Sequence, residues 1–181
     1  PSWETYENKN GRTVLNIDPG AAFGTGTHAT TSMCLEALEE LVTPDMTVLD
    51  IGSGSGILSI ASVLLGANKA IGVDIDPVAV KVANENAKLN KVGDKTEYIL
   101  GNLDEKISDT FDIVVANIVA DAIIALSQSA SKRMSENGYF LCSGIIDIRA
   151  NEVEDALKSR GFNIIRKYEN NNWVAFLANR I

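Results

Sequence analysis

The amino-acid sequence predicts an α/β fold: a mostly parallel, seven-stranded sheet with helices on both faces and one antiparallel strand from a C-terminal hairpin. Three observations carry this expectation. Short runs that are apolar on both faces alternate with helix-length segments, the pattern of a parallel sheet buried between helix layers. A glycine-rich turn, "VLDIGSGSG", joins the first such run to a wholly apolar helix segment. The last two strand-like runs are separated by Asn170, Asn171 and Asn172, which suit a tight reversal.

Taken in order, Trp3 to Ile17 reads as an extended segment with Asn10–Gly11 available for a hairpin turn. The glycine- and threonine-rich stretch "IDPGAAFGTGTHATT" leads from it into an amphipathic helix over Thr30–Val42, with Leu35, Leu38 and Val42 expected inward. "MTVLDI" is the first core strand, running out at Asp50. "ILSIASVLLG" is apolar on nearly every side and should be a buried helix stopped by Gly66. "KAIGVDI" is the second strand. Asp76 and Pro77 then open a helix, a capping carboxylate followed by a residue with preset φ, and Val80, Ala83 and Ala87 mark its inner face. "TEYILG" and "FDIVVANI" are the third and fourth strands. A helix with Ala122, Leu126 and Ala130 on one face follows, then the strand "GYFLCSGII" and a helix over Ala150–Arg160 with Val153, Ala156 and Leu157 inward. Phe162–Tyr168 and Trp173–Ala178 form the closing hairpin. The chain therefore divides into an extended segment with its glycine-rich loop, 1–28, and a ligand-binding domain, 29–181.

Composition narrows the function. At 181 residues, 45% hydrophobic and 22% charged, the chain suits one compact domain. No apolar run reaches the ~18 residues that cross a bilayer, and no basic-then-apolar leader opens the chain, so no membrane partner is expected. The chain starts at Pro1 rather than Met, which points to a fragment. A net charge of −8 with scattered Lys and Arg disfavours a direct nucleic-acid partner. An acidic surface either steers a cationic partner or serves solubility. Cys34 and Cys142 sit in apolar segments and read as free, buried thiols of a cytoplasmic protein. One His and two Cys cannot make a four-ligand zinc site, so no metal is expected.

The chemistry concentrates at strand ends. Gly52, Gly54 and Gly56 allow a sharp turn, a close ligand approach and close packing of a helix N-terminus. A dinucleotide fingerprint, G-x-G-x-x-G, would place its third glycine at 57, where the residue is Ile57. The G-x-G-x-G form after Asp50 resembles instead the S-adenosyl-L-methionine (AdoMet) turn of Rossmann-like methyltransferases. Asp74 ends the second strand, 22 residues after Gly52, where a carboxylate can accept both ribose hydroxyls of an adenosine ligand. At the third strand's end stand Asn102 and, close behind, Asp104; the adenine contact is open between them. Asn117 ends the fourth strand beside the glycine turn. Its amide oxygen can accept from a substrate N–H and orient an amine toward a sulfonium methyl. The place resembles the Asn-Pro-Pro-Tyr motif of amino-methylating enzymes, but Ile118, Val119 and Ala120 follow Asn117, so an aliphatic amine suits it better than a planar base. An amine of reference pKa ~10.4 must lose a proton before attack; His28 or solvent could take it, and a hydrogen-bonded loop role for His28 is the competing reading.

"IDPGAAFGTGTHATT", "VLDIGSGSGILSIA", "IGVDIDPVAV", "NENAKLN" and "VVANIVAD" together resemble, in order and spacing, the ribosomal protein L11 methyltransferase family. The glycine turn is shared by a vast superfamily; DPG-x-AFGTG-x-H-x-TT is the specific segment. The resemblance implies a Rossmann-like class I AdoMet-dependent methyltransferase with AdoMet as cofactor. It implies N-methylation of lysine side-chain and N-terminal amines of ribosomal protein L11, a cytoplasmic protein partner. By motif match it carries cofactor contacts to Thr31, Gly52, Asp74 and Asn117. Gly54 and Gly56 join them from the turn. Asn117 is also the expected catalytic residue. Phe23, Gly24, Thr25 and Gly26 would fold over the methionine end, with Gly24 and Gly26 as hinges of a lid. Family members usually carry an N-terminal substrate-recognition domain; this chain is expected to begin just after its linker, and a monomer is expected. The competing functions are the same chemistry on another protein's lysine, an NAD(P)-dependent oxidoreductase and a non-catalytic AdoMet-binding module.

Overall fold

A computed structural model describes residues 1, 3, 4, 7, 11–18 and 26–181. Its strands are β1 (Thr47–Ile51), β2 (Lys69–Asp74), β3 (Thr96–Leu100), β4 (Phe111–Asn117), β5 (Met134–Ile146), β6 (Phe162–Asn170) and β7 (Trp173–Arg180). Its helices are α1 (Ala29–Leu41), α2 (Ile57–Leu64), α3 (Pro77–Leu89), α4 (Ala120–Leu126) and α5 (Ala150–Ser159). The seven strands form one sheet in the order β3-β2-β1-β4-β5-β7-β6. β1 to β5 pair in parallel, and β7 lies antiparallel between β5 and β6. The mostly parallel sheet expected from the sequence is present.

Burial explains why the strands look apolar throughout. Along β4, Val114 and Ala116 face one core with Leu49, Phe140, Ile123, Leu126, Val153 and Leu157. Ile113 and Val115 face the other, with Val48, Leu141, Leu38 and Ile60. Successive side chains point to opposite faces, and both faces are covered along Ile113–Ala116.

The helix faces differ from the sequence expectation in detail. α1 buries Thr30, Thr31, Met33, Cys34, Ala37 and Leu38, whereas Leu35 and Val42 are half-buried. Small side chains at Cys34 and Ala37 let this helix lie close against β5 and β7, and Val42 already belongs to its C-terminal cap. α3 buries Ala79, Ala83, Asn86 and Ala87, so a polar Asn86 takes part of the face expected of Val80. α4 stops at Leu126; Ala130 is buried in a separate 3-10 turn, Ala130–Arg133. No strand forms among the described residues of 1–28, and Asn10, half of the expected hairpin turn, lies outside the described residues.

Candidate active site at the strand-order switch

The strand order reverses between β1 and β4, where a doubly wound sheet opens a crevice at its carboxyl ends. Ile51 pairs with Ala116 there, which sets Gly52 beside Asn117. A cavity of about 660 Å³ occupies this crevice. Its walls come from the glycine turn, the ends of β2 and β4, residues 101–103, the first turn of α1 and Trp173 of β7.

The turn is built from the inside. Gly52 has φ +73° and lies against Ile118, whose side chain would collide with any Cβ at that position. The N–H groups of Gly52 and Ser53 both donate to the Val73 carbonyl, at 2.8 and 3.1 Å. Gly54 donates to Asp74 Oδ2 at 2.8 Å and Gly56 to the Ser53 carbonyl at 2.8 Å. Gly56 sits at φ +80° as the N-cap of α2, and a Cβ there would come 2.7 Å from Tyr98 Oη. It is a packing glycine behind the cavity wall.

A glycine cap leaves the first N–H groups of α2 without a side-chain acceptor. Asp50, one strand away, supplies one: its Oδ2 accepts from Ser59 N at 3.1 Å, the third helical position. Asp50 is buried and lines the cavity. Burial pushes its carboxyl up from 3.8 to about 7; hydrogen bonds from Ser59 pull the other way, and the Asp74 charge adds to the rise. With the native value raised, the folded chain holds a proton that the unfolded chain has lost over the intervening range. The stabilisation from the neutral acid is complete below pH 3.8 and is lost as pH climbs through about 7. It amounts to roughly 4 kcal/mol. Melting wild type and Asp50→Asn side by side from pH 4 to 8 should show the variant gaining on wild type as pH rises. A gap independent of pH would mean that Asp50 titrates normally.

Asp74 accepts from Gly54 N with Oδ2 and from Asp76 N with Oδ1, at 2.8 and 2.9 Å. An ionised carboxylate has about four acceptor sites, so half of its capacity is left at the cavity wall. Asp76 caps α3 by accepting from Val78 N at 2.8 Å, with Pro77 in the first turn, as the sequence implies. Ser53 Oγ, also on the wall, is the one fully buried side-chain polar atom among the described residues without a hydrogen-bond partner.

At the opposite wall Asn117 donates its amide N–H to Thr31 Oγ1 at 3.3 Å, tying the end of β4 to α1. This leaves Oδ1 as the acceptor available at the cavity. His28 is the N-cap of α1: its Nδ1 accepts from Thr30 N at 3.3 Å and lies 2.8 Å from Thr30 Oγ1. Its ring meets Trp173 edge-on, with centroids 5.0 Å apart.

Of the site residues read from sequence, Thr31, Gly52, Gly54, Asp74 and Asn117 converge on this cavity. Gly56 and Gly26 do not line it; Gly26 packs beside the Ile57 side chain. Phe23, Gly24 and Thr25, and with them most of the expected lid, lie outside the described residues. Asn102 lines the cavity, while Asp104 is withdrawn beneath it, bonded to Arg133 Nε at 2.8 Å and Ser129 Oγ at 2.7 Å. Sequence reasoning did not single out Ser53, Leu103, Gly144 or Trp173. Trp173 had a usable signal: it opens the antiparallel strand, whose first residue falls at the carboxyl ends of its parallel neighbours.

Residues 1–180 match the family described as Ribosomal protein L11 methyltransferase (PrmA). A ribosomal protein L11 methyltransferase of Alkaliphilus oremlandii is 48% identical over 178 residues, covering 98% of this chain and 57% of the relative. One from Desulforamulus reducens is 46% identical, covering 98% and 58%. The chain thus spans under two thirds of the length of these curated relatives. The crystal structure of a ribosomal protein L11 methylase from Lactobacillus delbrueckii subsp. bulgaricus superposes with a TM-score of 0.94 at 32% identity, covering 99% of this chain and 92% of that one. A 16S rRNA N2 G1207 methyltransferase of T. thermophilus, solved with AdoMet and guanosine, shares the fold at 22% identity and a TM-score of 0.74, over 88% of this chain and 45% of that one. A match running through nearly every residue, at close to half identity, makes this chain a member of the ribosomal protein L11 methyltransferase family.

Proposed function

We propose that this chain is the catalytic domain of an AdoMet-dependent protein N-methyltransferase. Its substrates are the lysine side-chain and N-terminal amines of ribosomal protein L11. It works as a cytoplasmic monomer with no direct nucleic-acid partner, residues 29–181 holding the cofactor and 1–28 forming an arm. The observation that carries the proposal is the ionic character of the cavity. Asp50 and Asp74 line it, and no Lys or Arg does among the described residues. The N–H groups of Gly52, Ser53, Gly54 and Gly56 are all bonded within the protein. Carboxyl groups without a cationic side chain disfavour the anionic pyrophosphate of a dinucleotide, whereas a sulfonium, an ammonium and an amine substrate are favoured by acceptors.

The residues present fit AdoMet. Asp74 keeps acceptor capacity for two ribose hydroxyls, and Ser53 Oγ is a buried polar atom in want of a partner. Ile75 and Leu103 give apolar wall on the Asp74 side. Asp50, Thr31 and the turn face the amino-acid end, where a cation beside Asp50 favours its ionised form. When bound, AdoMet supplies the electrophilic methyl group. The protein aligns the nucleophile, and alignment can account for much of the rate. Asn117 Oδ1 accepts one substrate N–H and turns the nitrogen lone pair toward the methyl group. Trp173 and Val119 flank the route with apolar surface that suits a lysine stem and excludes water. His28 serves as the cap of α1, its Nδ1 accepting from Thr30 N at 3.3 Å, and its ring packs edge-on against Trp173. It is given this structural duty, and the substrate proton is assigned to solvent.

Calorimetric titration should give an isotherm with AdoMet and none with NAD. Labelled methyl should then pass from AdoMet to ribosomal protein L11, tested with this chain and with an N-terminally extended form. An NAD isotherm, or AdoMet binding with no transfer by either form, would overturn the proposal.

A further inference from the structure

Asn86 of α3 and Asn90, the C-cap of that helix, pair with the N-terminal arm as a neighbouring strand would. Asn16 N donates to Asn90 Oδ1 at 2.9 Å, and Asn90 Nδ2 donates back to the Asn16 carbonyl at 2.6 Å. Asp18 N donates to Asn86 Oδ1 at 2.9 Å, and Asn86 Nδ2 donates back to the Asp18 carbonyl at 3.1 Å. The spacing is matched. Residues two apart in an extended chain advance about 6.6–6.8 Å, and residues four apart on a helix advance about 6.0 Å. Each carboxamide offers one acceptor and two donors, so it satisfies both backbone groups of one residue.

Asn86 does more than hold the arm. It is 1% exposed, and its Nδ2 also donates to the Ser55 carbonyl at 2.9 Å. Ser55 lies between Gly54, which bonds Asp74, and Gly56, which caps α2. One buried amide thus joins Asp18 of the arm to the turn that walls the cavity. Farther along the sequence, Gly26 lies beside Ile57 and His28 lines the cavity. The Asn90 side chain hydrogen-bonds to the arm and to the helix it caps, through Asn16 and the Asn86 carbonyl.

We infer that Asn86 and Asn90 are positioning residues for cofactor binding: the clamp they form holds the arm against α3, and through Asn86 the seated arm fixes the glycine turn in its binding geometry. This inference rests on AdoMet as the ligand of the cavity. Its distinctive consequence is that Asn90, which reaches no cavity residue, still governs affinity. Loss of one buried hydrogen-bonded pair corresponds to about a tenfold change in a binding constant. Asn86→Ala should therefore raise the AdoMet dissociation constant about tenfold or more, and Asn90→Ala about threefold to tenfold. The KM for AdoMet should follow in each case, with kcat changing less. The double variant should be no worse than Asn86→Ala by more than about twofold, because both act through one strap. Asn84→Ala is the control: its Nδ2 bonds only the Val80 carbonyl on the same helix, so its affinity should equal wild type. Calorimetry on the full chain, with melting temperatures taken in parallel, decides. If Asn90→Ala lowers the melting temperature and leaves the dissociation constant at the wild-type value, the asparagines are structural pins and the inference fails. If wild type itself binds no AdoMet, the proposed function fails first. Asn90→Ala keeps the test open should Asn86→Ala not fold.

Discussion

Asp74→Ala should raise the AdoMet dissociation constant about a hundredfold and leave the fold standing. The expected size is that of the two charge-assisted hydrogen bonds proposed to ribose hydroxyls, each worth about 1.5 kcal/mol or more, which together correspond to roughly a factor of a hundred. Part of the loss is indirect. Asp74 also holds Gly54 N and Asp76 N, so the alanine frees one turn N–H and relaxes the entry to α3. Asp74→Asn separates the two effects. It keeps one acceptor oxygen for the backbone and loses both the charge and half of the lone pairs, so its affinity should fall between wild type and alanine. Melting temperatures should drop by little for either variant, because α3 keeps its own cap at Asp76 and Pro77. Calorimetry and thermal melts on the three proteins measure both quantities. An alanine variant that binds AdoMet as wild type does would remove Asp74 from the site.

Much of this arrangement is legible in the sequence, and the reason is local. A turn that needs positive φ at Gly52 and Gly56 must be written with glycine, and a strand covered on both faces must be written as an apolar run. Asp76–Pro77 is a cap that any reader of helix chemistry finds. The parts that were not legible depend on long-range packing. Asp104 and Asn102 are two residues apart, yet one is buried against Arg133 and Ser129 while the other lines the cavity. Asp50 belongs to the turn's motif, but its duty as the missing cap of α2 arises because Gly56 has no side chain and Ser59 N lies within reach. Asn86 and Asn90 look like surface polar residues of a helix. Their role appears once Asn16 and Asp18 are seen lying along α3. The inner face of α1 was misjudged for a similar reason: hydrophobicity favoured Leu35 and Val42, and close approach to β5 and β7 favoured Cys34 and Ala37.

Asn117→Ala should lower kcat about a hundredfold while changing AdoMet affinity far less. In the proposed binding mode the cofactor contacts come chiefly from the β1 and β2 side of the crevice, whereas Asn117 stands at the end of β4 beside Ile118 and Val119. Its amide nitrogen is engaged by Thr31 Oγ1, which fixes the rotamer and presents Oδ1 to the incoming amine. Without that acceptor the amine enters in many orientations, and misplacement by about 1 Å can cost a factor of a hundred. Thr31→Val tests the same geometry from its far end. It removes the hydroxyl that orients the amide and keeps the shape of the side chain, so kcat should fall by a smaller factor, about tenfold, with Asn117 still present. Asn117→Asp keeps an acceptor but gives up the donor to Thr31, and should recover part of the rate lost in the alanine variant. Steady-state kinetics on ribosomal protein L11 with AdoMet saturating, paired with calorimetric dissociation constants, separates the two roles. Equal losses in kcat and affinity would make Asn117 a cofactor ligand alone, and the orientation of the amine would then have to come from another wall of the cavity.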